Sequence, residues 1–183
     1  PLTAIREIVM KKPAPQDTAS TLLASLQGAP QKEKTETLLK AIETERYSEQ
    51  GTVELYQALT DAVPSDPRPP SAYAAYLVDH GNYPGALEVV EKSLAIRNDV
   101  PGMHFLKGRI LIKLKALDRA DGAMVKAVAL NGKSTDYLNG LGFVNSLRGN
   151  HERALAAYRL ALQSDPESGY AYYNIGVTMF NLG

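Results

Sequence analysis

Two features of this sequence carry residue types able to do chemistry, and in both the spacing argues against it. Gly132-Lys133-Ser134 has the ending of a phosphate-binding loop, in which backbone N–H groups cradle phosphates, but the glycine needed five residues earlier is Ala127. A helical pattern precedes it where a strand belongs, so Asn131-Gly132 reads as a helix stop and Ser134 or Thr135 as the next helix cap. The histidines His80, His104 and His151 share no metal-ligand spacing and have no paired carboxylate at helical distance; each is read as a hinge or packing residue. The chain has no cysteine, which removes thiol catalysis, disulfides and Cys-ligated zinc. Catalytic residues, metal ligands and cofactors are therefore not expected, and the chain is not read as an enzyme.

Binding chemistry is the remaining class. The 183 residues carry 20 basic and 20 acidic side chains, a formal net charge of zero, which argues against a dedicated nucleic-acid binder. The longest uncharged, apolar-leaning run, 168–183, contains Asn, Thr and Gly and is too short and polar to span a membrane. Lys107, Arg109, Lys113, Lys115 and Arg119 form a basic cluster with two readings, a solvated helix face or a patch for an acidic partner. The chain opens at Pro1 with neither an initiator Met nor a signal-peptide pattern, which we read as a fragment or processed product.

The elements that would position such side chains are all helical. Residues 2–10 have the apolar residues for a short helix, and 11–16 form an extended linker closed by Pro13 and Pro15. With Asp17 as cap, helices are expected at 18–27, 33–47 and 52–63, the last stopped by Pro64, Pro67, Pro69 and Pro70. From residue 71 the pattern is regular, with helices at 71–80, 84–97, 103–115, 118–130, 136–148, 152–163 and 169–182 separated by turns of two to five residues. No segment alternates with a period of two, so no sheet is expected.

One period underlies these helices. Lys107-Gly108, Leu141-Gly142 and Ile175-Gly176 are spaced by 34 residues, as are Ala86, Ala120 and Ala154, each followed four residues on by Val90, Met124 and Tyr158. Gly81-Asn82, Lys115-Ala116 and Gly149-Asn150 mark the hinges, and Pro30, Pro64 and Pro166 keep the same register. A helix–turn–helix unit of this length, with a Leu-Gly pair, a later Ala, an aromatic and a closing Pro, resembles the tetratricopeptide repeat. The best copy runs through Leu141, Gly142, Ala154, Tyr158, Ala161 and Pro166; the Trp expected three residues before the Leu is Leu138. The expected organisation is an N-terminal segment over 1–16, degenerate repeats over 17–66, and an array over 67–183 with copies at 67–100, 101–134, 135–168 and a partial one at 169–183.

The resemblance implies an all-α, right-handed superhelical solenoid whose first helices line a concave groove that binds a peptide or helix of a partner protein. Carried over copy by copy, the groove face comprises Ser71, Ala75 and Val78; Phe105, Arg109 and Lys113; Asn139, Phe143 and Ser146; and Tyr173, Val177 and Phe180, with Asn174 beside them. The places where one subclass of the family clamps a terminal carboxylate hold Ser71, Ala75, Asp136 and Gly140, so that clamp is not expected. An apolar segment, its backbone bonded by Asn139 and Asn174, is the expected ligand. In this register Tyr172 takes the core aromatic place, Tyr173 the groove and Tyr170 the rim, which makes a base-stacking platform the weaker reading.

The stretch 169–183 has no charged residue and no second helix. Either the array continues beyond it, or the open face is covered by a partner or drives homo-oligomerisation. The short Ala-rich copies look bacterial, and similar repeat proteins serve pilus, secretion-system or envelope assembly, which places the chain in the cytoplasm or the periplasm and cell envelope by fold analogy.

Overall fold

The computed structural model of the chain describes residues 18–43 and 47–182. The predicted helix at 2–10, the linker at 11–16 and the cap at Asp17 lie outside them. Among the described residues there are ten helices and no strand: α1 (Thr18–Ser25), α2 (Gln31–Glu43), α3 (Glu49–Ala62), α4 (Arg68–Asp79), α5 (Tyr83–Ile96), α6 (Pro101–Lys113), α7 (Leu117–Leu130), α8 (Thr135–Leu147), α9 (His151–Ser164) and α10 (Gly169–Leu182). This is the all-α repeat architecture expected from the 34-residue period. None of these helices is long and apolar enough to cross a membrane.

Helix starts differ from expectation where a cap or a proline decides them. α3 begins at Glu49 rather than 52 because Ser48 caps it, its Oγ accepting from the Gly51 N–H at 3.1 Å. α4 begins at Arg68 rather than 71, since Pro69 and Pro70 occupy its first turn, where no backbone N–H is needed. They open this helix as well as closing the one before. The helix expected to reach residue 47 is described as far as Glu43, and Tyr47 sits in a bend, half-buried against the α1–α3 core. Asn82 caps α5 and Ser134 caps α8, accepting from Gly85 and Tyr137 N–H at 3.0 and 3.4 Å.

The chain divides into two compact units, with the boundary between Pro69 and Pro70. In the first, α1 and α2 both pack on α3, and Ala19, Leu26, Leu38, Ala41, Leu55 and Leu59 form a common core. In the second, α6 pairs with α7 and α8 with α9 as antiparallel hairpins. The second helix of each copy also packs on the first helix of the next (α5 on α6, α7 on α8, α9 on α10), while the first helices α6, α8 and α10 lie side by side. Met124, Leu111, Val144 and Ala120 fill the space within and between the α6–α7 and α8–α9 hairpins.

Each hairpin turns on one close contact. A Cβ at Gly142 would stand 2.5 Å from the Tyr158 ring, and one at Gly108 would stand 2.7 Å from Met124 Cε. Glycine there is what lets the second helix lay a large side chain directly against the backbone of the first. The hinges are equally uniform. Gly81, Lys115 and Gly149 have φ of 75°, 59° and 77°, and the next residue's N–H returns to Leu77, Leu111 and Asn145 carbonyls at 2.8–2.9 Å, a Schellman closure repeated three times. Among the described residues, Lys115 alone adopts this left-handed conformation with a Cβ.

Two outcomes follow in chemical denaturation. Lys115→Gly raises stability by about 1 kcal/mol, because it relieves left-handed strain at a position two sister copies fill with glycine. Gly142→Ala lowers it by about 1–2 kcal/mol, since the rigid, fully buried Tyr158 ring cannot yield and the helix-propensity gain offsets only part of the overlap.

Candidate functional site

The first helices of the second unit bound a concavity of about 650 Å³. Ala75, Val78 and Asp79 of α4 line one side, Phe105, Arg109 and Lys113 of α6 the middle, and Asp136, Asn139, Gly140 and Phe143 of α8 the other side, with Asp165 and Tyr170 at the far rim. Side chains four apart on α6 and on α8 share one helix face, so the side-by-side first helices turn 34-residue spacing into adjacency. The walls carry mixed charge: Arg109 and Lys113 face a surface that also holds Asp79, Asp136 and Asp165.

Of the residues predicted for the groove, Ala75, Val78, Phe105, Arg109, Lys113, Asn139 and Phe143 are brought together here. The others lie elsewhere. Ser71 Oγ contacts Met103 Sδ at 2.9 Å, and Ser146 Oγ lies 3.4 Å from Thr178 Oγ1, each joining neighbouring first helices. Asn174 is buried, and its Nδ2 donates to Tyr170 O at 2.8 Å within its own helix turn. Tyr173, Val177 and Phe180 line a separate shallow surface on α10 with Tyr172 and Gly176. The expected pairing of Asn139 with Asn174 thus does not form one donor–acceptor face. Tyr172, placed in the core by register, is 57% exposed because the described residues provide no second helix to cover it.

Asn139 is the outlying polar group of the concavity. It is only 6% exposed, and its Oδ1 has no hydrogen-bond partner. Such an acceptor carries a cost of about 1–3 kcal/mol. Beside it, Phe105 packs near Gly140, where a Cβ would come within 2.7 Å of the ring, and against Tyr137 with centroids 5.0 Å apart. The Arg109 guanidinium carbon lies 5.9 Å from the Phe105 centroid, close enough for a cation–π contact. Asp79 and Asp165 fall outside the groove face carried over by register, and Asp136 and Gly140 enter the sequence reading only as positions where a carboxylate clamp is lost.

The basic cluster separates into two parts. Lys107 Nζ and Arg119 Nη2 both reach Glu91 Oε1, at 2.8 and 3.1 Å, so the carboxylate of α5 holds together cations of α6 and α7. The hydrogen bond from Lys107, assisted by both positive charges, holds the Glu91 carboxyl below the usual glutamate range against a smaller opposing effect of burial. Arg109 and Lys113 form no ion pair among the described residues and face the concavity. A second polar cluster, unread in the sequence, ties α7 to α8: buried Asn145 donates to Asp121 Oδ1 at 2.7 Å and to Leu141 O at 3.0 Å, while Arg148 bridges Asp118 and Asp121 at 2.7 and 3.0 Å.

The histidines are spread apart. His80 Nδ1 donates to Tyr76 O and His104 Nε2 to Asn98 O, both at 2.8 Å, and His151 Nδ1 is buried with no partner. Among the described residues no group of three or more His, Asp or Glu is arranged to hold a metal ion.

Geometry and repeat together define the class: an all-α array of helical hairpins with a 34-residue period. Residues 147–183 match the family model described as a TPR repeat. The fold is similar to that of MamA 41-end from Desulfovibrio magneticus RS-1, at 21% identity and a TM-score of 0.71 over 81% of this chain and 85% of that one. It is also similar to YrrB, a TPR protein with an unusual peptide-binding site, at 21% identity and a TM-score of 0.67 over 92% and 84%. The first TPR of Spaghetti (RPAP3), bound to the HSP90 peptide SRMEEVD, aligns at 19% identity and a TM-score of 0.60 over 62% and 90%. No curated protein matches in sequence.

The Glu91 cluster has a defined pH signature. A carboxyl depressed in the folded state contributes stability above its ordinary pKa and loses it as pH falls through the folded value. Thermal unfolding of Glu91→Gln across the acid range is expected to be less pH-dependent than that of the parent chain, with the two converging at the lowest pH.

Proposed function

We propose that the second unit is a protein-interaction scaffold that holds a segment of a partner protein in the concavity between α4, α6 and α8. The observation that carries this reading is Asn139, a nearly buried amide on the wall of the concavity whose oxygen lacks a donor. A peptide backbone supplies N–H donors at every residue, so turning the amide toward a bound segment would satisfy an acceptor that the free protein leaves unpaired. Phe143, Phe105, Ala75 and Val78 offer apolar surface to its side chains, and Arg109 and Lys113 on one wall with Asp79, Asp136 and Asp165 on the others give its ends opposite electrostatic preferences. The fold neighbours YrrB and Spaghetti, described by a peptide-binding site and a bound peptide, support the same reading.

No group in the concavity is poised for bond making or breaking, so the role proposed is recognition, serving assembly of a larger complex. Peptides selected on this chain by phage display provide the ligand for a test. Asn139→Ala with Phe143→Ala is expected to weaken the selected peptide by about tenfold or more, roughly one lost hydrogen bond plus one lost apolar contact. Asn139→Leu is expected to weaken it while leaving the free protein equally or more stable, because an unsatisfied polar group is replaced by an apolar one of similar size. Affinity unchanged in both variants means the segment binds elsewhere.

A further inference from the structure

The tripeptide Leu-Asn-Gly occurs twice in the chain, at 130–132 and at 138–140, and the fold treats the two copies oppositely. Asn131 ends α7 with φ −147° and ψ 83°, and both it and Gly132 are exposed in the turn before α8. The backbone of Asn131 is held on both sides, its N–H by Ala127 O at 3.0 Å and its carbonyl by the Ser134 N–H at 3.4 Å. No hydrogen bond among the described residues uses its side-chain amide or the Gly132 N–H. Asn139, in contrast, is only 6% exposed, and Gly140 lies inside α8, where the helical ladder takes its N–H.

We propose that Asn131 is a self-modification site of the folded protein, converting to aspartate and isoaspartate, while α8 holds the identical tripeptide at Asn139 intact. An asparagine followed by glycine carries its own electrophile and nucleophile, and glycine has no Cβ to crowd their approach. The Gly132 nitrogen gives up its proton and bonds to Asn131 Cγ, closing a five-membered succinimide. The Cγ–Nδ2 bond breaks, and the amide group leaves as ammonia with the proton that the nitrogen lost. Water then opens the ring, either at Cγ, which gives aspartate, or at the backbone carbonyl carbon, which gives isoaspartate with the chain running on through Cγ. Water is consumed and ammonia released in equal amounts, with no change of oxidation state.

At Asn139 the same ring closes only after α8 opens locally, because the Gly140 nitrogen must first leave its hydrogen bond and the amide must leave its buried site. At Asn131 no such opening is needed. Either product places a carboxylate at the C-terminal end of α7, where the helix dipole disfavours negative charge. Isoaspartate also adds a methylene to the main chain and makes the carbonyl that receives the Ser134 N–H part of a free carboxylate, immediately before the Ser134 cap of α8. The modification therefore acts on the junction between two hairpins and leaves the Asn139 amide as it is.

Incubation of the 183-residue chain at mildly alkaline pH, followed by proteolytic mapping and mass spectrometry, reads both sites in one molecule. Conversion at Asn131 is expected to run about tenfold or more faster than at Asn139 in the folded chain. In denaturant the two rates should converge, since both sites have the same preceding leucine and following glycine. Gly132→Ala is expected to slow Asn131 by about tenfold or more. This variant folds as the parent does, because a Cβ there would stand 3.5 Å from Val128 O, an ordinary contact. Chromatographic separation of the isoaspartyl peptide distinguishes ring closure from direct hydrolysis, which gives aspartate alone. An intact Asn131, equal rates at the two sites in the folded chain, aspartate without isoaspartate, or an unchanged rate in Gly132→Ala each overturn the proposal. A difference between the sites that persists in denaturant does so too, because its cause then lies in the sequence rather than the fold.

Discussion

The contact between a glycine of the first helix and a bulky side chain of the second is what the array depends on. Met124 on Gly108 and Tyr158 on Gly142 set how closely the two helices of a hairpin approach. Once that distance is short, the residues flanking the contact must be small, and Ala120, Ala123, Ala154, Ala157 and Ala161 are accordingly buried. A Cβ on the glycine would push the helices apart and open voids along the whole seam. The left-handed hinge is the second half of the constraint, because it returns the chain at an angle that allows this approach, and Lys115 shows that the geometry is imposed even where the residue type opposes it.

Hairpins closed in this way leave the opposite face of each first helix unused by packing within the copy. Stacking then places those faces side by side, and the concavity is their common surface. Its polarity is uneven for a physical reason. Lys107 and Arg119 are drawn to Glu91, and Arg148 to Asp118 and Asp121, so these charges hold helices together, whereas Arg109 and Lys113 point where no carboxylate of the array pairs with them. Asn145 and Asn139 make the same contrast among amides. The first is buried with its donor placed on Asp121, the second is buried with its acceptor empty. A satisfied polar group rigidifies, and an unsatisfied one is stabilised by whatever ligand supplies the missing donor.

Much of the fold was legible because repetition averages out local ambiguity. Gly142 alone is a weak signal; Gly108, Gly142 and Gly176 at a constant step, matched by alanines and hinges at the same step, are a strong one. Helix starts were read less well where capping competes with pattern, as at Ser48, or where proline serves two elements, as at Pro69 and Pro70. The groove set was legible in part. Transferring one face of each first helix by register located the wall residues from Ala75 to Phe143 in one concavity, but it could not tell that Ser146 turns to Thr178, that Asn174 spends its amide on Tyr170, or that Tyr173 and Phe180 stand on a different surface.

The amino-acid sequence by itself determined the period, the hairpin, the small-on-large contact and the helix faces, because these depend on spacing within about one repeat. Tertiary structure alone decided which charges neutralise one another and which amide is left without a partner. Those properties depend on distances between side chains of different helices, and a difference of about 1 Å separates a hydrogen bond from none.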